Sequence, residues 1–267
     1  MSERDASYLC APGPAAQLHA DVQEYAVAVN ASVAIVHEGV SPIPLSGAAL
    51  FAITADLLAM HRAVLCLCHG GWAFTSVTVL RSMIDLFLSA FVIVEVPSEA
   101  EYRGFKYTHF FLKSQRSMPG ATTETRRSVA PQLERAIACL PPHQQARARQ
   151  FVFQAPLRPY WYSPEYARPA DVLERIGRPD IGRAYSLLSG GAHGGFIGLR
   201  VLKDDPDRVD PNPRRDPRSQ QFTLLASSRL LLETMNIRDA FENGAATGGF
   251  YRELLDRLLA IPQSQQL

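Results

Sequence analysis

The feature that most constrains the fold is a long apolar stretch with two opposite charges near its centre. Residues 72–96 read WAFTSVTVLRSMIDLFLSAFVIVEV, and after Asp85 the stretch holds a single polar residue, Ser89, before its acidic end. A helix that is apolar on nearly every face either spans a membrane or is buried on all sides of a bundle. Arg81 and Asp85 lie near the middle, where an ionised side chain is costly in lipid. The pattern therefore favours the buried helix of a soluble bundle, with no membrane span.

Arg81 and Asp85 are four residues apart, so on a helix they share one face and can form an ion pair. Removing both charges from water costs several kcal/mol per ion unless further hydrogen bonds compensate. We therefore expect a neighbouring helix to present polar groups to this face. Two interpretations stay open. In the first, which the sequence alone favours, the ion pair fixes the register of the helix. In the second, the ion pair belongs to a functional site.

Length, composition and charge indicate a globular protein and give no sign of a polyanion partner. The chain has 267 residues, of which 47% are hydrophobic, and a net charge of +1. Such a chain can bury a substantial core. Its one basic concentration, residues 208–218, is diluted by aspartate and proline and is interpreted as a solvated loop. The polar N-terminus lacks the apolar region of a secretory signal, so we expect a reduced, cytoplasmic protein. The four cysteines are scattered: Cys10, Cys66, Cys68 and Cys139.

Apolar residues that recur at spacings of three and four predict helices along most of the chain. We expect a mainly α fold, with one domain over residues 1–267 and frayed ends at about 1–12 and 263–267. The domain is predicted to be a multi-helix bundle of about eight helices with little or no sheet. Ser98 and Glu101 have the spacing of an N-cap and its N3 partner at the start of the fourth helix. The expected helical segments are 15–38, 48–69, 72–96, 98–118, 122–140, 141–153, 170–177, 179–193, 219–243 and 249–260, with a short strand at 196–202 as an option.

An irregular loop rich in proline and aromatic residues, 154–169, separates the sixth helix from the next. It can pack over helix ends, which is the favoured interpretation, or line a ligand pocket, since such pockets have apolar walls with a few polar groups. Trp161 in this loop and Tyr107 on the fourth helix are the aromatic candidates for ligand contact, with core packing as the alternative. We expect the loop to lie near the polar cluster described next.

A second polar group lies in the segment YSLLSGGAHGG, which begins at Tyr185. Tyr185, Ser189 and His193 are spaced by four, so they form one stripe along a helix that glycines then terminate. His193 lies in the last turn, where unpaired carbonyl groups favour a cationic ring, and Asp85 is the best candidate for its partner. The predicted cluster joins this stripe to the charged pair of the third helix. The alternative is a core histidine that hydrogen-bonds to its neighbours.

These segments resemble a family of uncharacterised bacterial helical proteins over about residues 75–200. The family pattern has Arg-Ser-x-x-acidic in a buried helix, a Trp ahead of a short helix, and then Tyr-x-x-Leu-Ser-x-x-x-His. Such families usually carry Glu at the acidic position, so Asp85 is a departure. The resemblance implies a helical fold and assigns no activity. The matching positions in this chain are Arg81, Ser82, Asp85, Trp161, Tyr185, Leu188, Ser189 and His193.

A more distant resemblance is to HEPN-type helical ribonucleases, which place an Arg and a His close together on one helix. In this chain the arginine that precedes His193 is Arg183, about 15 Å away along the helix axis. Arg81, from another helix, could take its place in space. The resemblance implies metal-independent RNA cleavage by His193 and Arg81, in a toxin or phage-defence setting.

Three functions stay open at this point. The first and favoured one is a helical module that binds a small molecule or a protein, and the second is the ribonuclease. The third is a metal-dependent bundle enzyme that uses His61, His69 or His109, although the usual Glu-x-x-His spacing is missing. We predict no cofactor, and a homodimer is an option for which the sequence identifies no surface. The candidate residues are His193, Arg81 and Asp85 as catalytic groups and Tyr185, Ser189, Trp161 and Tyr107 as binding contacts.

Overall fold

The computed structural model of this protein describes residues 14–38, 44–117, 119–120, 122–154, 160–162, 165–192 and 217–243, together with residues 253, 254, 256, 257 and 260. Nine α-helices and one short 3₁₀ helix make up almost all of these residues, and none of them is in a strand. The prediction of a mainly α bundle is therefore confirmed. The helices are α1 (Pro14–Glu38), α2 (Leu45–His69), α3 (Ala73–Val94), the 3₁₀ helix (Pro97–Glu99), α4 (Ala100–Ser117), α5 (Thr123–Cys139), α6 (Pro142–Gln154), α7 (Pro169–Ile176), α8 (Pro179–Ala192) and α9 (Pro217–Asn243).

Prolines begin several of these helices, as expected from a residue whose fixed φ suits the first helical turn and which has no N–H to leave unpaired. Pro169 and Pro179 start α7 and α8, and Gly177, in the left-handed conformation at φ 72°, ends α7 between them. The predicted strand at 196–202 lies outside the described residues. Of the predicted terminal helix, residues 253, 254, 256 and 257 are described as helical, and residue 260 is in a turn.

Helices α2, α3 and α9 pack against one another and form the main core. Leu57, Leu80, Leu88 and Leu231 are fully buried there, and each such side chain contributes about 2 kcal/mol relative to an exposed position. Helix α1 covers α2 and α9, and α8 packs on α3. The nearly uniform apolar character of α3 therefore reflects its position among five neighbouring helices, α2, α4, α7, α8 and α9.

A second, smaller core lies between α4, α5 and α6. Phe105 of α4, Ile137 of α5 and Ala148 of α6 are at most 1% exposed within it. Helix α4 also contacts α2 and α3, so it connects the two cores.

Glu101 caps the start of α2, and not the start of its own helix as the sequence predicted. Its carboxylate accepts a hydrogen bond from the Leu45 N–H at 2.8 Å and another from the Ser46 hydroxyl. A carboxylate is favourable at this place because the first N–H groups of a helix are unpaired and carry partial positive charge. The capping-box prediction for Ser98 and Glu101 is therefore wrong. The Glu101 side chain of α4 instead hydrogen-bonds to the first residues of α2.

Among the described residues, two helices are long and apolar enough to cross a membrane: α2, and Thr75–Val94 within α3. The most apolar 18 residues of α2 have a mean hydropathy of 1.7, and 33% of them are buried. The corresponding values for the segment of α3 are 2.0 and 50%. Long core helices of soluble proteins meet the same criterion. Helix α2 thus leaves more of its apolar surface uncovered than α3 does.

Candidate functional site

Arg81 joins α3 to α8 through its whole guanidinium group. Its Nε donates to Oγ of Ser189 at 3.1 Å, and its two terminal nitrogens donate to Oδ2 of Asp85 and to the hydroxyl of Tyr185. The guanidinium carbon also lies 3.8 Å from the centre of the Tyr185 ring, within range of a cation–π contact. The structure therefore brings together four of the residues that the sequence placed in one cluster.

The Arg81–Asp85 pair is only partly buried, which corrects the prediction of a buried pair. The exposed fraction of the side chain is 20% for Arg81 and 43% for Asp85, so the neighbouring elements cover this side of α3 incompletely. Oδ1 of Asp85 is nevertheless shielded from solvent and, among the residues that the structure describes, has no hydrogen-bond partner. Burial raises the pKa of Asp85, and the hydrogen bond and charge of Arg81 offset this rise only in part.

An aromatic wall, formed by Tyr160, Trp161 and Tyr162, lies beside the pair. Trp161 donates from Nε1 to Oγ of Ser89 at 3.0 Å, which ties the wall to α3. The rings of Tyr160 and Tyr162 stack with their centres 5.3 Å apart. Burial, followed by the nearby charge of Asp85, raises the pKa of Tyr162. The aromatic segment therefore adjoins the polar cluster, and Tyr160 and Tyr162 are neighbours of the site that sequence reasoning did not single out.

Tyr107 of α4 packs against Trp161 of the aromatic wall. Their rings meet edge to face, with the centres 5.5 Å apart, and Trp161 is only 7% exposed. Burial, followed by the charge of Asp56, raises the pKa of Tyr107 to about 12. Both residues were predicted to contact a ligand, but in the structure they pack into the core beside the site.

Glu95, which ends the apolar run of α3, anchors the segment that follows the wall. Its carboxylate accepts hydrogen bonds from the Tyr166 hydroxyl at 2.7 Å, from Nε of Arg175 at 2.8 Å and from Arg103 at 3.1 Å. Burial opposes ionisation of Glu95, but these three donors outweigh it and lower its pKa. Sequence reasoning missed this anchor. Its one signal was an acidic residue at the end of an otherwise apolar helix.

A cleft of 760 Å³ opens between α7 and α8, next to the cluster. Its volume falls within the range of small-molecule sites, about 300–1,000 Å³. Its lining combines the apolar Leu173 and Pro179 with the hydroxyl of Tyr185 and with three charged side chains, Glu174, Arg178 and Arg183. Gly182 leaves room in the cleft, because a Cβ added there would have Cδ1 of Leu173, at 4.0 Å, as its nearest neighbour. Tyr185 is thus both a wall of the cleft and a partner of Arg81.

Four charges hold the start of α8 to α9. Arg178 binds the carboxylates of Glu233, at 2.9 and 2.8 Å, and of Asp180, at 2.9 and 3.0 Å. Arg229 completes the ring with a bond to Glu233 at 2.7 Å and a contact with Asp180 at 3.5 Å. The hydrogen bond from Arg178 lowers the pKa of Asp180 to about 2. The ring fixes one end of α8, and Arg81 fixes the helix further along.

The histidines considered for catalysis or metal binding are dispersed. His193 lies outside the described residues, so its predicted contact with Asp85 stays a prediction. His109 packs against the ring of Phe151, with centres 5.2 Å apart, and His69 is exposed at the end of α2. No group of three or more His, Cys, Asp or Glu side chains that could hold a metal ion occurs among the described residues.

His61 belongs to a buried hydrogen-bond chain that the sequence did not indicate. Its Nδ1 lies 2.6 Å from Oε1 of Gln23, and its Nε2 lies 2.9 Å from Oγ of Ser228. Nδ1 of His19 contacts the same Ser228 oxygen at 2.7 Å. Because an amide oxygen can only accept, His61 carries its proton on Nδ1, Ser228 donates to Nε2, and His19 donates to Ser228. Both histidines are neutral in this arrangement, and the chain joins α1, α2 and α9.

We expect Arg81→Met to lower the free energy of unfolding by about 2 kcal/mol, because it leaves Asp85 without its cation and breaks three contacts. The loss should be smaller than that for a fully buried pair, since 43% of the Asp85 side chain is exposed. Urea denaturation measures it, with Arg149→Met, at an exposed position on α6, as the control. Equal losses in the two variants would contradict the structural importance of Arg81.

No protein-family model, curated protein or solved structure matches this chain. The resemblances to a bacterial helical family and to HEPN-type ribonucleases therefore stay predictions.

Proposed function

We propose that this protein is a helical module that binds a small, largely apolar molecule in the cleft between α7 and α8. The observation that carries the proposal is the position of Tyr185, which lines the cleft on one side and is held by Arg81 on the other. An apolar wall supplies affinity, and a few fixed polar groups supply orientation, which is the usual division of work in such sites.

The arrangement behind Tyr185 supports this proposal because hydrogen bonds and ion pairs hold it at several points. Ser189 and Asp85 occupy the other nitrogens of Arg81, and the four-charge ring fixes the start of α8. A binding wall that is already ordered loses little conformational entropy when the ligand arrives. The Arg81 cluster therefore holds Tyr185 in place, and the ligand contacts Tyr185 and the apolar wall of the cleft.

Filling the cleft should abolish binding while leaving the fold intact. Gly182→Leu places a side chain in the cleft from a helical position with free space around its Cβ, and it replaces a poor helix former by a good one. The probe is a library of uncharged aromatic and aliphatic fragments, screened by ligand-observed NMR and titrated. We expect fragments that bind the wild type to bind Gly182→Leu about tenfold more weakly or worse.

Ala138→Leu is the matched control, because Ala138 is exposed on α5, away from the cleft. It should bind the same fragments as the wild type does, and thermal unfolding should show all three proteins folded. Fragments that bind wild type and Gly182→Leu equally, or a wild type that binds none, would overturn the proposal.

The ribonuclease and metal-enzyme hypotheses compete with this proposal, and no observation on the described residues favours either. An RNA-cleavage assay with wild type and His193→Ala, together with elemental analysis of the purified protein, distinguishes them. We expect no cleavage and no stoichiometric metal. Cleavage that disappears in His193→Ala would replace the binding module by the nuclease.

A further inference from the structure

A small pocket lies between α3, α8 and α9, on a different side of α8 from the cleft. Its volume is 160 Å³. Ile181 and Ala184 line the pocket, whereas Gly182, Tyr185 and Ser186 line the cleft. The helical period directs these two groups of side chains to different faces of α8. The pocket is therefore a separate cavity, which the proposed function leaves unused.

The pocket arises because α8 and α9 both pack on α3 without filling the space between them. In the part of the chain that the structure describes, each of the two helices contacts α3 extensively, but they contact each other only sparsely. Leu80 and Ile84, one turn apart on α3, line the pocket and are at most 2% exposed. Ala184 of α8 and Ala226 of α9 add only small side chains to the lining. The space between the two helices is thus open to a ligand.

The charged side chains that line the pocket neutralise one another. They are the members of the four-charge ring, Arg178, Asp180, Arg229 and Glu233. Glu233 accepts hydrogen bonds from Arg178 at 2.8 Å and from Arg229 at 2.7 Å, and Asp180 accepts two from Arg178 at 2.9 and 3.0 Å. A charged ligand would lose its hydration here and could gain a partner only by breaking these bonds, which is costly. The pocket therefore favours an uncharged ligand.

We propose that this pocket binds a small, uncharged molecule that consists of one aromatic ring. The volume of 160 Å³ fits such a ring, because a cavity of about 150 Å³ lined by leucine, isoleucine and phenylalanine binds benzene or xenon. Phe222 of α9 also lines the pocket and is 47% exposed, so its ring is available to a bound ring. Aromatic rings attract each other in offset-stacked and edge-to-face arrangements, which favours an aromatic ligand over an aliphatic one of equal size.

Isothermal titration calorimetry of the full chain with benzene tests the proposal. We expect the wild type to bind benzene, and Ala226→Leu to bind it about tenfold more weakly or worse, because the larger side chain occupies the space between α8 and α9. Phe222→Ala removes an exposed ring and should weaken the binding about threefold through the lost contact between rings. Benzoate and benzylammonium, which add a charged group to the same ring, should not bind.

Xenon locates the site independently. Crystals of the wild type under xenon pressure should show a bound xenon atom in contact with Leu80 and Ile84, because apolar cavities of this volume take up xenon. Crystals of Ala226→Leu should show none there. Xenon bound only elsewhere in the wild type would overturn the proposal.

Ala146→Leu, at an exposed position on α6, is the matched control for Ala226→Leu, and Gly182→Leu, which fills the cleft, is the control for location. Both should bind benzene as the wild type does, and circular dichroism establishes that each variant is folded. Benzene is smaller than the fragments that test the cleft, so the two proposals can fail separately.

A wild type that does not bind benzene, or that binds benzoate equally well, would overturn the proposal. So would a folded Ala226→Leu protein that binds benzene as the wild type does. If Ala226→Leu does not fold, Phe222→Ala decides, and unchanged binding there would also overturn it. Loss of benzene binding in Gly182→Leu would overturn it in favour of the cleft.

Discussion

Replacing Gly104 with alanine is expected to lower the free energy of unfolding by about 3 kcal/mol, because the added methyl group collides with backbone atoms. A Cβ at this position of α4 would lie 2.7 Å from the carbonyl carbon and oxygen of Leu45 and from the nitrogen of Ser46. Backbone cannot rotate away as a side chain can, so α4 must move away from the start of α2. That movement also weakens the hydrogen bond from Leu45 to Glu101.

Gly182→Ala is the matched control for this variant, because its new Cβ meets nothing closer than 4.0 Å. It should stabilise the protein by about 0.5–1 kcal/mol, since alanine favours a helix more than glycine does. Chemical denaturation of wild type and both variants measures the difference. A Gly104→Ala protein within about 0.5 kcal/mol of wild type would show that the α2–α4 contact is looser than described.

Acidification should destabilise the protein steeply below pH 6.5, because the buried chain between His19 and His61 requires both rings to be neutral. Burial, followed by the charge of His69, lowers the pKa of His19 to about 4, and burial, followed by the charge of His19, lowers that of His61 to about 3. The unfolded chain therefore binds more protons than the folded one between these values and 6.5. Each histidine then lowers the free energy of unfolding by about 1.4 kcal/mol per pH unit as the pH falls.

His19→Gln should show that this slope comes from the buried chain. The variant loses stability at pH 7 through its lost bond to Ser228, but between pH 6 and pH 4.5 its stability should fall less steeply, by the share of one histidine. His143→Gln, at an exposed position on α6, should retain the wild-type slope. Denaturation at a series of pH values measures both. Parallel curves for wild type and His19→Gln would contradict a neutral buried chain.

The part of the site that lies within single helices could be predicted from the sequence. The helical period fixes which side chains share a face whatever surrounds them. That is why Arg81 and Asp85 on α3, and Tyr185 and Ser189 on α8, could be assigned to facing stripes. The cost of an isolated charged pair then required the two stripes to meet.

Contacts between distant parts of the chain could not be predicted, because a side chain's type does not reveal which helix end it will reach. Glu101 fits a local cap by spacing, yet it binds Leu45, 56 residues earlier. His19 and Ser228 are 209 residues apart, and no local pattern links them. The partial exposure of Asp85 could not be predicted for the same reason, since it depends on how completely distant parts of the chain cover α3.

A crystal structure of the protein soaked with the uncharged fragments that bind in solution tests directly whether the cleft is a binding site. We expect a bound fragment between α7 and α8, in contact with Tyr185, while the hydroxyl of Tyr185 keeps its bond to Arg81. Crystals of Gly182→Leu should show no fragment at this place. Fragments bound only elsewhere, or equally occupied in the two proteins, would contradict it.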